Sequence, residues 1–243
     1  MIQGDQRILN KLAAYRPDAY TYRPFVATFE MSSPVCLAHP WINGDALIAS
    51  QLMRHILGDD FYTLPTKRVL PINDYLELPL EKSYDVWHAS ASVFDIDDVF
   101  LTTIYKRFDS QNTDIVNNRK KKIPLGAGFF KGCMIRQPYT PSRTIKFFFN
   151  GDMEMCSRLL QHVPALGKDR SRGFGVVKSL SVEPCSEDYS LFKDGIVMRP
   201  IPALDIKHMG IPEKSIRSNY KPPYWNHGKA VMCAVPGTKM IVT

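Results

Sequence analysis

The run from Thr144 to Val182 constrains the fold more than any other part of this chain. It spells an alternating strand, an amphipathic helix, a glycine-rich basic loop and a second alternating strand. Ile145, Phe147 and Phe149 alternate with Lys146 and Phe148 over Thr144–Asn150, and a period of two marks a strand with one buried face. Gly151-Asp152 ends that strand and supplies a helix cap. Met153, Cys156, Leu159, Leu160 and Val163 then share one helical face, and Pro164 closes the helix. Alternation resumes through Phe174, Val176, Lys178, Leu180 and Val182.

The loop between them, Gly167-Lys168-Asp169-Arg170-Ser171-Arg172-Gly173-Phe174-Gly175, places three glycines and three cations in nine residues. Glycine lets backbone approach a ligand closely, and Lys and Arg offer charge and forked donors to phosphate. Gly167, Lys168, Arg170, Arg172, Gly173, Phe174 and Gly175 are therefore candidate nucleic-acid contacts, with the Gly173 and Gly175 N–H groups aimed at phosphate oxygens. The same pattern also suits an ordinary turn with solvated cations.

Charge is unevenly spread along the 243 residues. Residues 1–102 carry 8 Lys/Arg against 13 Asp/Glu, while residues 103–178 carry 15 against 5. A cationic block of this kind favours polyanions, because each neutralised phosphate releases counterions. Residues 105–122 are polar and end in Arg119, Lys120, Lys121 and Lys122, which reads as an exposed excursion whose basic end grips RNA or is simply solvated. Leu125–Gly132 follows as a glycine-rich aromatic turn, and Phe129, Phe130, Tyr139 and Phe174 could stack bases or fill a core.

Upstream, residues 22–37 read as extended, and Asn43-Gly44-Asp45 caps a helix that carries Ala46, Ala49, Leu52, Met53 and Ile56 and stops at Gly58. Tyr84, Val86, His88 and Ser90 suggest a strand, and Val93–Asp98 a turn or short strand. Two strand–helix–strand halves predict an α+β, ferredoxin-like βαββαβ sheet over residues 1–183. Residues 184–243 are proline-rich and read as an extended segment with a terminal hairpin, Ala230–Val235 against Lys239–Val242. Five scattered cysteines without C-x-x-C spacing argue for a reducing compartment. The start lacks an apolar signal core and no apolar run could span a bilayer, so a cytoplasmic protein without a membrane partner is expected.

The segment Phe147–Val177, with its strand, Gly-Asp, Leu-Leu helix and glycine-basic loop, resembles the RAMP superfamily of CRISPR proteins. Ser32-Ser33-Pro34 through Asn43–Ile48 resembles that family's first strand and helix. The chain is most similar to the Cas-five-like subunit of type IV effector complexes. That resemblance implies a noncatalytic subunit that holds the five-prime handle of the guide RNA (crRNA) and caps the backbone filament. It implies a thumb-like excursion at about residues 105–122, and backbone, large and processing subunits as partners. It also implies indirect contact with target DNA, room for an accessory helicase, and no cofactor or metal.

The alternative within the same superfamily is a metal-independent endoribonuclease that processes precursor crRNA. Such chemistry needs a general base for a ribose hydroxyl and a cation for the transition state. His39, His55, His88, His162, His208 and His227 are the candidates, with His39 and His88 the freest. A nucleotide-binding enzyme fits less well, since the loop matches no G-x-x-x-x-G-K-[ST] motif and precedes a strand. Asp95-Ile96-Asp97-Asp98 reads as a solvated turn rather than a metal site.

Overall fold

A computed structural model describes residues 3–17, 19–65, 70–72, 75–96, 98–109, 125–224 and 230–241. Among them the chain is mixed α/β, with three α-helices and mostly small antiparallel sheets. Helix α1 spans Gln3–Ala14, a segment in which the sequence predicts no element; Ile8 and Leu12, one turn apart, put one of its faces in the core. Strand β1 (Tyr22–Met31) buries Phe25, Ala27 and Phe29 and leaves the alternate residues partly open.

Helix α2 (Gly44–Leu57) follows and buries Ile48, Ala49 and Leu52. Asn43 stands at its N-cap but makes no side-chain capping bond there. The expected strand around residue 84 is instead a hairpin, β2 (Lys82–Ser83) against β3 (Val86–Trp87). Tyr84 and Asp85 form its turn at φ 49° and 53°. Alternating side chains do not reveal a two-residue reversal, and Asp tolerates this left-handed region. Strand β4 (Val93–Phe94) is the short strand expected there.

Two long strands come next, β5 (Phe100–Lys106) and β6 (Cys133–Tyr139). Then β7 (Thr144–Asp152), helix α3 (Met153–Leu160) and β8 (Val177–Pro184) give the predicted order of strand, helix and strand. Gly151 does not break β7, however, but pairs with Arg23 inside the strand. α3 stops short of Val163, and β8 begins three residues after Phe174. Asp152 caps α3 as expected, its carboxylate accepting the Met155 N–H at 2.9 Å. The main sheet has the order β4-β7-β1-β8, with every neighbour antiparallel. Phe25 faces Phe149 across β1 and β7, and their rings stack at 5.2 Å. All three helices bury apolar residues in this one core.

The C-terminal quarter is more ordered than its prolines suggest. β9 (Phe192–Lys193) pairs with β10 (Ile196–Val197), and β11 (Ile201–Pro202) belongs to a three-stranded sheet. β12 (Ile211–Pro212) and β13 (Ser215–Ser218) precede β14 (Val231–Ala234) and β15 (Met240–Ile241). The expected terminal hairpin does not form. β14 lies between β11 and β13, so both its edges are taken, and β15 pairs with β12. Val86, Leu191, Val197, Ile201, Ile206 and Ala234 build a second core.

Arg199 joins this second core to α2. It is 1% exposed and pairs with Asp45 at 3.1 Å. It also donates to the carbonyls of Trp87, Ala89 and Tyr220, while Tyr224 donates its hydroxyl to Asp45 at 2.6 Å. Burial alone would lower the Arg199 pKa; Asp45 and Tyr224 outweigh it and hold the guanidinium charged. No helix among the described residues is long and apolar enough to cross a membrane.

Candidate nucleic-acid interface

The glycine loop lies at the C-terminal end of β1, against residues 32–36. Val35 exchanges backbone hydrogen bonds with Thr140, and next to it the Lys168 N–H donates to the Cys36 carbonyl at 2.9 Å. Two consecutive residues thus hold the base of the β5–β6 ribbon on one side and the loop on the other. Sequence alone could not bring these segments together, because the pairings join residues more than 100 positions apart.

Gly167 and Gly175 are required by close approach. A Cβ at Gly167 would stand 2.3 Å from the Cys36 carbonyl oxygen, and one at Gly175 would stand 1.9 Å from that of Leu166. Both residues also have positive φ, 80° and 68°. The expectation that glycine N–H groups meet phosphate is corrected here. The Gly175 N–H donates to the Pro34 carbonyl at 2.8 Å and the Gly173 N–H to that of Arg170 at 3.0 Å. The backbone donors are thus satisfied by carbonyls of the turn itself and of the segment it packs against.

The cations are left to face outward. Arg170–Arg172 forms one 3-10 turn, preceded by Asp169 in the left-handed region. The Asp169 carboxylate accepts from Arg172 at 2.9 Å and lies 3.9 Å from the Lys168 amine. Arg170 is exposed and makes no ion pair among the described residues. Exposed pairs of this kind contribute about 0–1 kcal/mol, so an incoming phosphate competes with Asp169 at little cost. Phe174 is half-buried.

The β5–β6 ribbon is open to solvent along most of its length. It leaves little trace in the sequence, because a ribbon without a buried face shows no period. Leu101 is 68% exposed and Phe129, near its distal end, 80%. The Lys106 amine sits 4.7 Å from the centre of the Phe129 ring, and Phe130 meets Phe129 and Phe108 edge to face. Tyr139 stacks on Phe100 at the ribbon's base. Arg119, Lys120, Lys121 and Lys122 lie outside the described residues, as does most of the expected excursion.

A cleft of about 460 Å³ opens at this base, lined by Val35, Leu37, His39, Phe94 and Tyr139 among others. His39 is therefore near the loop. His88 is not: it bonds to Asn150, which faces Pro24, whereas the loop leads into Val177, which faces Met31. Those ends of β1 are roughly 23 Å apart. His55 and His162 line a groove on the outer side of α2 and α3 with Arg54 and Arg158. His208 stacks on Tyr84, and His227 lies outside the described residues.

Asp95 caps the turn before β7, accepting from Ser142 Oγ and from the N–H groups of Arg143 and Thr144. Burial would raise its carboxyl pKa, but these bonds outweigh it and lower the pKa. Two cations absent from the sequence-based set also border the loop's end of the sheet. Lys146 is exposed on β7, and the Lys178 amine lies 2.6 Å from the Glu30 carboxylate. The sequence marks Lys146 only as an outward strand position, without its neighbours.

A family model described as CRISPR type IV associated protein Csf3 matches residues 23–236. The match spans the main sheet, the ribbon, the glycine loop and most of the second core. No curated protein matches the chain.

Proposed function

Because the chain belongs to the CRISPR type IV associated Csf3 family, and so is a Cas-five-like subunit of a type IV complex, we propose that it holds the guide RNA there without catalysing a reaction. Its partner is the five-prime handle of the crRNA, and it caps the backbone filament. The observation that carries this reading is that the cationic loop and the base of the ribbon are bridged through the adjacent residues Val35 and Cys36. Single-stranded RNA takes cations on its phosphates and aromatic rings on its bases. Lys168, Arg170 and Arg172 offer the first, and Tyr139 at the ribbon's base offers the second, with Phe129 at its distal end in reach only of a strand that follows the ribbon.

In this reading the β4-β7-β1-β8 sheet is a RAMP-type ferredoxin-like platform, since each strand–helix–strand crossing skips one antiparallel strand. The ribbon is the thumb and meets the neighbouring backbone subunit, with the large and processing subunits completing the cytoplasmic particle. Target DNA is met through the guide, and the assembled complex leaves room for an accessory helicase.

A second reading, the metal-independent processing endoribonuclease, is favoured by His39 and Tyr139 lining one cleft beside the loop. There His39 would deprotonate a ribose hydroxyl, and Lys168 would steady the phosphate it attacks. One experiment separates the two: end-labelled repeat RNA incubated with purified protein and excess EDTA, run on native and denaturing gels. Intact RNA that shifts in the native lane supports the scaffold. A discrete cleavage product that disappears with His39→Ala supports the nuclease.

A further inference from the structure

We propose that Glu81, His88 and Asp188 bind one divalent cation of borderline character, such as Mn2+ or Zn2+, at the end of the sheet opposite the glycine loop. Two segments distant in sequence supply the donors. The β2–β3 hairpin brings Glu81 and His88 together, and both are hydrogen-bonded through their backbones to Asn150 of β7. Asp188 comes from the segment after β8 and is held by the Ser190 N–H at 2.8 Å.

The three donor atoms all lie within 4.8 Å of one another. His88 Nδ1 is 2.7 Å from Asp188 Oδ2 and 3.9 Å from Glu81 Oε2. Donors placed 2.0–2.2 Å from a four-coordinate ion stand roughly 3–3.5 Å apart, so small side-chain rotations suffice. His88 is only 9% exposed, and its Nε2 lies 2.7 Å from Ser83 Oγ. In the metal-free protein Nδ1–H donates to Asp188; a cation that takes the place of this bond leaves the imidazole proton on Nε2, donating to Ser83, which is how ligating imidazoles are commonly oriented.

Asn150 of β7 borders the same three donors. Its amide nitrogen donates to Glu81 at 2.5 Å and to Asp188 at 3.2 Å, while its Oδ1 is buried with no hydrogen-bond partner. Such an oxygen is costly to leave unpaired. Turned over, the amide would offer Oδ1 to the cation as a fourth donor, its nitrogen then taking the oxygen's buried place. The Glu81 side chain is 44% exposed, so the ion and its remaining waters have a way in. One imidazole with carboxylates suits Mn2+ or Zn2+ better than Mg2+ or Ca2+, which prefer oxygen alone. A bound ion would staple the hairpin, β7 and the C-terminal segment together, independently of any RNA contact.

The test uses the tag-free full chain, stripped with EDTA and desalted. Mn2+ is titrated in and the free aquo ion is followed by its paramagnetic resonance; Mn2+ is chosen because the chain's thiols compete for Zn2+. One Mn2+ per chain is expected, with a higher thermal unfolding midpoint in its presence. Ser83→Ala should weaken uptake by about 10–100-fold. Glu81→Gln, a partly exposed change that spares the fold, should abolish stoichiometric uptake. No uptake by the wild type overturns the proposal, and so does a Glu81→Gln variant that binds Mn2+ as the wild type does.

Discussion

At the residue scale, Gly173 and Gly175 stand two positions apart, both left-handed, yet a side chain would fare differently at each. At Gly173 a Cβ meets open space, whereas at Gly175 it meets a carbonyl oxygen at 1.9 Å. Gly173→Ala should therefore cost only the left-handed strain, about 1–2 kcal/mol. Gly175→Ala should cost more, because the loop must also move off Leu166; urea unfolding of the two variants measures the gap. The cations act in solution rather than in the fold. Changing Lys168, Arg170 and Arg172 together to Ala should leave unfolding almost unaltered and weaken RNA binding. The log–log salt slope should fall by about 0.7 for each single-strand phosphate that is no longer neutralised. An unchanged slope would remove the loop from the interface. Arg170 and Arg172 should contribute comparably, since the exposed Arg172–Asp169 pair costs little to break.

At the element scale, the ribbon is a pair of strands whose side chains have little to bury in this chain alone. Leu101 and Met134 are 68% and 58% exposed. Leu101→Asp with Met134→Asp should leave the thermal midpoint nearly unchanged and reduce co-purification with the backbone subunit. A fall in midpoint with assembly intact would instead mean that the ribbon serves its own domain. The same comparison applies to Lys120, Lys121 and Lys122, whose replacement is expected to impair assembly more than folding. The hairpin of β2 and β3 behaves differently, because both its partners are internal. Asp85, in its turn, pairs with Lys82 and Lys221, and Asp188 meets its His88.

At the scale of the whole molecule, polar links that join the two cores among the described residues include carboxylates, and these shape its acid response. Burial alone would raise both carboxyls, but hydrogen bonds from Lys221 and Lys82 hold Asp85 at about 2, and those from His88 and Ser190 hold Asp188 at about 2. Folded values below the unfolded one mean that their stabilisation is complete above about pH 4 and is lost as pH falls towards 2. The C-terminal unit should therefore loosen first between pH 4 and pH 2, seen as faster hydrogen exchange in residues 185–224 than in β1 and β7. Uniform exchange across both would contradict this. Arg199 is the neutral-pH counterpart. Arg199→Met leaves Asp45 buried and uncompensated, a loss of about 3–5 kcal/mol, part of which Asp45→Asn should restore in the double variant.

Much of the main sheet was legible in the sequence, because its information is local. β7, α3 and β8 announce themselves through a period of two, a period of 3.6 and the glycine-rich loop between helix and strand, each readable within a short window. The cationic loop was legible for the same reason, as a dense run of nine residues. The sequence by itself therefore determined which segments are strands or helices with one buried face, and where positive charge is concentrated. Tertiary structure alone decided what those segments meet. It set Cys36 beside Lys168, Asp45 beside Arg199 and His88 beside Asp188, across separations of 100 residues or more. It also spent the glycine N–H groups on internal carbonyls and gave both edges of β14 to other strands. Periodicity records whether a face is buried, but not by what, and a polar residue's partner is fixed only when distant backbone converges on it.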